Sequence, residues 1–146
     1  MMRIDFYQLS RDPVEAVAAM LARKVVQTGS RLLIVAQNAE KRQEISRALW
    51  EVPGEFLANG EAGGPHDARQ PILVSGGFEA PNGASIVLVA DGIWSEEASR
   101  FERCLLLFDE AATNDARNLW KTLKAAENRE LHIFKQRENG SWAEGA

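Results

Sequence analysis

The chain alternates between strand-like and helix-like patterns of hydrophobic residues. Residues 3–9 carry apolar side chains at every second position for part of their length, which predicts a half-buried first strand. Residues 31–36 are continuously apolar after Arg31, which predicts a central strand buried on both faces. Shorter apolar runs predict further strands at residues 72–75, 85–90, 103–108 and 131–134.

Helices are predicted between these strands from capping residues and helical spacing. Asp12 is expected as the N-cap of a first helix, with Pro13 and Glu15 in its first turn and Gly29 just beyond its end. Asn38 is expected to cap a second helix ending near Trp50, whose side chain we expect to be buried. Ser95 is expected to cap a short helix, and a final helix is predicted over residues 113–128.

This order of elements predicts an α/β fold with a single domain. We expect three layers, in which helices flank a mixed, mostly parallel sheet, with a topology like that of nucleotide-binding proteins. The domain is expected to span residues 1–138, followed by a C-terminal tail at residues 139–146. Residues 59–70, which are rich in glycine and charge, are expected to form a long surface loop.

Composition and charge exclude several classes of protein. The 146 residues are 45% hydrophobic and 26% charged, as in globular proteins, and no apolar run approaches the ~20 residues that span a bilayer. No signal-peptide pattern opens the chain, so we expect a cytoplasmic protein without a membrane partner. The net charge of −4 argues against a protein that grips duplex DNA with its whole surface.

Catalytic and cofactor motifs are sparse, and no cofactor or metal is expected. Neither a G-x-x-x-x-G-K-[ST] nor a G-x-G-x-x-G phosphate loop is present. His66 beside Asp67 could act as a general base but lacks a nucleophile partner, for which Ser10 and Ser75 are only nominal candidates. The single cysteine, Cys104, is expected to be buried and inert. Two distant histidines, His66 and His132, do not favour a zinc site.

The final helix carries the most informative surface. At 100° per residue, one narrow face is apolar and is expected to pack on the core; it consists of Ala112, Ala116, Leu119, Leu123 and Ala126. An adjacent face carries Arg117, Lys121 and Lys124, and Trp120 falls between the two faces. A half-exposed indole beside three cations suits an anionic ligand with an apolar anchor, although a solvated basic helix face is the plain alternative.

A second aromatic cluster lies where the second helix ends. Trp50 closes that helix, and Phe56 and Leu57 follow Pro53. Exposed, such a corner would be a contact site for another protein.

Together these features resemble the chi subunit of bacterial DNA polymerase III, a small accessory protein of the clamp-loader assembly. The resemblance extends over nearly the whole chain. It rests on Phe6-Tyr7-x-Leu9, residues 31–36, Ala48-Leu49-Trp50, Phe56-Leu57, Phe101 with Phe108-Asp109, and Ala116-Arg117-x-x-Trp120-Lys121-x-x-Lys124.

The resemblance implies a non-catalytic adaptor that binds the acidic C-terminal tail of single-stranded DNA-binding protein. It implies that Arg117 and Lys121 pair with the tail's acidic groups and terminal carboxylate, and that Lys124 adds a further cation. Trp120 stands where the family often has tyrosine and would line the pocket for the tail's terminal phenylalanine. Contact with DNA would then be mainly indirect.

The resemblance also implies a second interface, with the psi subunit of the clamp loader or with a helicase of the damage-inducible type. Phe56 matches the aromatic position that serves this interface, with Leu57 and Trp50 beside it. The sequence departs here from the family's Phe-x-Pro-His, because Ala58 and Asn59 follow Leu57.

Two other functions remain open from the sequence. One is a small α/β nucleotide-binding or hydrolytic enzyme, with the loop at residues 59–70 over its site. The other is a direct binder of single-stranded DNA, with Trp120 stacking on bases and the three cations on phosphates.

Overall fold

The computed structural model describes residues 2–54, 57–126 and 128–145, and within them eight strands form one sheet. The strands are β1 (Met2–Gln8), β2 (Leu32–Val35), β3 (Asn59–Glu61), β4 (Ile72–Ser75), β5 (Ile86–Val89), β6 (Arg103–Phe108), β7 (Arg129–Gln136) and β8 (Trp142–Glu144). The α-helices are α1 (Val14–Gln27), α2 (Ala39–Trp50) and α3 (Thr113–Lys124). Short 3₁₀ turns lie at Asp67–Arg69, Glu96–Arg100 and Glu110–Ala112.

The strand order is β3-β4-β2-β5-β6-β1-β7-β8, and every pair except β7 with β8 is parallel. The interior position predicted for β2 is confirmed, since it lies between β4 and β5. The prediction of a half-buried first strand is wrong. Residues 4–7 of β1 are all buried, because β6 and β7 pair with β1 on both sides and packed layers cover both faces.

Two apolar layers cover the two faces of the sheet and confirm the three-layer α/β fold. On one face α1 and α2 pack through residues such as Leu21 and Leu49. On the other face α3 packs through Ala116 and Leu123, joined by Phe101 from the segment before β6. Adjacent strands β1 and β6 therefore send their following helices to opposite faces.

The predicted helix boundaries are only partly confirmed. Asn38 caps α2 by accepting the Lys41 N–H at 2.9 Å, and Ser95 accepts the Glu97 N–H at 3.2 Å. Asp12 does not cap α1, which begins one residue later than predicted, with Pro13 at the N-cap. The Asp12 carboxylate instead accepts the side-chain N–H of Gln136 at 2.7 Å.

The chain after α3 is more ordered into strands than predicted. Helix α3 ends at Lys124, four residues before the predicted end, because β7 already begins at Arg129, paired with Met2. Residues 142–144 of the expected tail form β8 on the edge of β7. The expected loop at residues 59–70 includes the edge strand β3 and a 3₁₀ turn.

The carboxylate of Asp5 is completely buried in β1. Its two oxygens accept 2.8 Å hydrogen bonds from the Nε atoms of Arg3 and Arg103, and Arg103 adds a second bond through Nη2. The two guanidinium groups are partly exposed, so the cluster joins a buried anion to cations that water still reaches.

Among the residues that the structure describes, none of the helices combines the length and the hydrophobicity that a membrane span requires.

Candidate functional site

Helix α3 presents its side chains largely as its sequence predicts. Arg117, Lys121 and Lys124 are exposed, and Trp120 is half-buried between them and the core. Of the predicted apolar face, Ala116 and Leu123 are buried and Ala112 and Leu119 are partly buried. The prediction for Ala126 is wrong: it is exposed because the helix has already ended.

The indole of Trp120 forms one wall of a cleft between α3 and the sheet. Its centroid lies 5.2 Å from the ring of Phe6, and Phe6 in turn meets the ring of Phe108 at 6.3 Å, both pairs edge to face. The cleft has a volume of about 220 Å³. Arg117, Trp120 and Lys121 all line it, so the structure brings together three of the four residues predicted on α3.

The floor of the cleft comes from the carboxyl ends of three neighbouring strands. Strand register places Phe108, Gln8 and Lys135 in one row across β6, β1 and β7, and it pairs Phe6 with Ile133 in a row nearer the strand centres. The sequence did not predict that these residues form the floor of a cleft. The alternation along β1 and β7 assigns their faces, but only the strand order places them beneath α3.

Positive charge surrounds the cleft and no carboxylate lines it. Arg117 and Lys121 stand on the helix side and Lys135 on the strand side. Among the residues that the structure describes, none of the three forms a salt bridge. Lys124 lies outside the lining, with its Nζ 6.0 Å from the Trp120 ring centroid. The arrangement suits a ligand with an apolar group for the floor and negative charge at the rim.

The second predicted contact site is only partly described. Phe56 lies outside the described residues. Trp50 is 48% exposed, so the prediction that it is buried is wrong. The buried positions of α2 are Ile45 and Leu49, and Trp50, one residue further, points about 100° away from Leu49. Leu57 is 3% exposed and packs in the core below α1 and α2, so its side chain does not reach the surface.

A larger crevice lies at the carboxyl ends of β1, β5 and β6, with a volume of about 670 Å³. In parallel α/β sheets nucleotides bind at such a position, where neighbouring strands send their connections to opposite faces. Here the lining includes a single basic side chain, Lys41, and five acidic ones. The acidic residues are Asp12, Glu15, Asp91, Asp109 and Glu110. This charge opposes a phosphate group.

The first strand–helix turn also lacks free donors for a phosphate. The backbone N–H groups of Ser10, Arg11 and Asp12 all donate to the Oε1 atom of Gln136, at 3.2, 3.0 and 3.1 Å. Successive backbone N–H groups at such a turn are what a phosphate loop offers its ligand. The protein's own amide oxygen occupies that position.

The residues considered for catalysis do not form a reactive group. His66 is exposed, and the Asp67 carboxylate accepts the N–H groups of Gly63 and Gly64 instead of orienting that histidine. The hydroxyl of Ser10 donates to the Gln136 carbonyl, and that of Ser75 accepts the Gly77 N–H.

The remaining residues that could bind a metal, Cys104 and His132, are engaged in packing or in hydrogen bonds within the protein. Burial raises the pKa of the Cys104 thiol far above its ordinary value. His132 lies on β7 between the carboxylates of Glu130 and Glu144, at 3.0 and 3.2 Å. Residues 2–54, 57–126 and 128–145 include no group of three or more His, Cys, Asp or Glu side chains placed to hold a metal ion.

Comparison with known proteins identifies the family. A sequence search found no match among curated proteins. The family model described as DNA polymerase III chi subunit, HolC, matches residues 1–129, which include β1, the whole of α3 and the first residue of β7. The chain therefore belongs to the chi subunit family, the accessory subunits of DNA polymerase III.

Proposed function

We propose that this chain is a non-catalytic adaptor of the clamp loader that binds the acidic C-terminal tail of single-stranded DNA-binding protein. The observation that carries the proposal is the cleft beneath α3, which combines an aromatic floor with three cations. The terminal phenylalanine of the tail would pack on Phe6 and Trp120, and the acidic groups would pair with Arg117 and Lys121.

The expected affinity is modest. A charge-assisted hydrogen bond contributes about 1.5–3 kcal/mol, and a few of them with one buried ring correspond to micromolar dissociation constants. Because many tails lie along one coated strand, a weak single contact still holds the polymerase assembly on it. The absence of a carboxylate from the lining of the cleft favours an acidic ligand over a basic one.

The test is a fluorescence-anisotropy titration with a labelled peptide that has several aspartates and a C-terminal phenylalanine. We expect saturable binding to the wild type that is lost in Arg117→Glu and with a peptide lacking the phenylalanine. Arg69→Glu is the matched control, because it makes the same charge change at an exposed site before β4, away from the cleft.

Two outcomes would overturn this function. Failure of the folded wild type to bind the peptide would remove the cleft as a tail site. Tighter, steeply salt-dependent binding of a bare single-stranded oligonucleotide would favour direct DNA binding, which three cations on a chain of net charge −4 do not favour.

We further propose that the end of α2 contacts the psi subunit or a helicase of the damage-inducible type. The indole of Trp50 supports this, because it is half-exposed at the end of α2 and is therefore available to pack against an apolar group of a partner. Pull-down of each candidate partner with Trp50→Ser and Phe56→Ser tests it. We expect either change to weaken capture while tail binding at α3 persists, and undiminished capture by both variants would contradict the proposal.

A further inference from the structure

The chain just after β8 continues the apolar row in the floor of the cleft. Phe6 of β1 pairs with Ile133 of β7, and both residues line the cleft. On the other side of β7 the same row reaches Gly145, whose backbone N–H donates to the Ile133 carbonyl at 2.7 Å. Residues directly opposite each other in a sheet point to the same face, so a side chain at position 145 would stand on the cleft side of the sheet.

Gly145 lies so close to Ile133 that no side chain fits between them. A β-carbon at position 145 would lie 2.9 Å from the Cγ2 atom of Ile133 and 3.9 Å from the Cε atom of Lys135. The first distance is well inside the optimal separation of two carbon atoms, which is about 3.5–4.0 Å. Because Cγ2 belongs to a branched side chain that is stiff at χ1, Ile133 cannot yield by bending at its tip. The present position of Ile133 therefore requires glycine at position 145.

The neighbours of Ile133 decide the direction in which its side chain would move. The Gly145 N–H bond and the pairing of Glu144 with Phe134 hold this end of the chain against β7. A methyl group at position 145 would therefore turn Ile133 away from β8, toward Phe6 and the interior of the cleft. Since the cleft has a volume of only about 220 Å³, the displaced carbon atoms would take room from the apolar group of a ligand.

We infer that Gly145 is a positioning residue that determines which apolar groups the cleft accepts. Its missing side chain keeps Ile133 beside β8 and leaves room for an aromatic ring. The inference rests on the proposed tail binding and adds the feature that sets the size of the apolar residue. A side chain at position 145 should shift the preference of the cleft from an aromatic residue toward a smaller aliphatic one.

The test compares two labelled aspartate-rich peptides on the intact chain, one ending in phenylalanine and one ending in leucine. We expect Gly145→Ala to weaken binding of the phenylalanine peptide about tenfold, the low end of the range for one methylene group in an apolar pocket, and to weaken the leucine peptide less than about threefold. Gly77→Ala is the matched control, because a β-carbon there has no neighbour within 4 Å and the residue follows β4, away from β7. It should leave the ratio of the two affinities unchanged.

A double-mutant cycle tests whether Gly145 acts through Ile133. In the Ile133→Ala background, which lacks Cγ2, adding Gly145→Ala should change the affinity for the phenylalanine peptide less than about twofold. In the Ile133→Val background, which retains Cγ2, the tenfold loss should persist. Circular dichroism checks that each variant is folded.

Three results would overturn the inference. They are a Gly145→Ala variant with the wild-type preference, an equal loss of both peptides, and a tenfold loss that persists in the Ile133→Ala background. Failure of the wild type to bind either peptide overturns the proposed function itself, a result distinct from binding with an unchanged preference.

Discussion

The indole of Trp120 meets the ring of Phe6 edge-on, with centroids 5.2 Å apart and planes inclined at 70°. This contact joins α3 to the central strand β1, and the same indole is a wall of the cleft. Packing and the proposed peptide binding therefore share one side chain, and a substitution there should change both.

Replacing Trp120 by alanine should lower the free energy of unfolding by about 2 kcal/mol, roughly half the cost of deleting a fully buried aromatic ring. The same change should abolish binding of the acidic peptide. Trp120→Tyr keeps an aromatic edge against Phe6 and should cost less than about 1 kcal/mol while retaining most of the binding. Urea denaturation and anisotropy check the two effects, and full peptide binding by the folded alanine variant would contradict the assignment of this wall.

Asp5 should tolerate the loss of one arginine partner better than the loss of both. The double variant Arg3→Met/Arg103→Met leaves a completely buried carboxylate without cations and should lose about 3–5 kcal/mol of unfolding free energy. Adding Asp5→Leu to that variant should recover most of the loss, because the buried charge is then gone. Urea melts of the wild type, the two single arginine variants, the double variant and the triple variant measure this, and a double variant as stable as the wild type would contradict it.

His132 should make stability fall as the pH rises above 6.5, the ordinary pKa of a histidine. Hydrogen bonds to Glu130 and then Glu144 raise the pKa of His132 above its ordinary 6.5, and the pKa of Glu130 is lowered by the same contact. A raised pKa means that the folded state holds the proton more tightly. The contribution of His132 to the free energy of unfolding is therefore complete below pH 6.5, and it is lost as the pH rises through the pKa of His132 in the folded state.

The lowered pKa of Glu130 has the opposite dependence. Its stabilisation is present above the ordinary value of 4.5 and lost as the pH falls through the folded value. The two contributions overlap between about pH 4.5 and 6.5. Thermal melts from pH 4 to 8 should show that window in the wild type, and His132→Gln should flatten it. An identical pH profile for the variant would exclude this pair as the cause.

Cys104 should be unreactive in the folded protein. The thiol is buried, and burial raises its pKa, so almost no thiolate forms near neutral pH. A disulfide reagent that reports free thiols should give no signal with the native chain and one equivalent in denaturant. Rapid labelling of the native chain would show that β6 opens to solvent.

The sequence predicts strands best where burial alone decides them. The runs at residues 72–75 and 103–108 match β4 and β6 in full, because a strand covered on both faces is a nearly continuous apolar run, here with polar residues only at Ser75 and Arg103. Ends set by distant partners are less predictable. Helix α3 ends at Lys124 because β7 begins at Arg129, where it pairs with Met2 of β1. Asp12 does not cap α1 because its carboxylate accepts a hydrogen bond from the side chain of Gln136.

The half of the cleft that lies on α3 is predictable from the sequence, and the half that lies on the sheet is not. Arg117, Trp120 and Lys121 share one helix, so their spacing places them together without any tertiary information. Gln8 and Lys135 are 127 positions apart, and only the pairing of β1 with β7 makes them neighbours. The exposure of Trp50 also depends on tertiary packing, because the orientation of α2 decides which of its apolar residues faces the core.

Neighbouring residues of β7 serve opposite sides of the sheet, with Lys135 at the cleft and Gln136 holding the turn after β1. Both lie beyond residue 129, where the family match ends. An expression fragment that ends at residue 129 would keep the cations of α3 but lose the part of the cleft floor that β7 provides. The three backbone N–H groups of the turn after β1 would also lose the side-chain oxygen of Gln136 as their acceptor. Any minimal fragment should therefore include β7 and β8. A reporter protein should be fused after Gly145 and should not replace these strands.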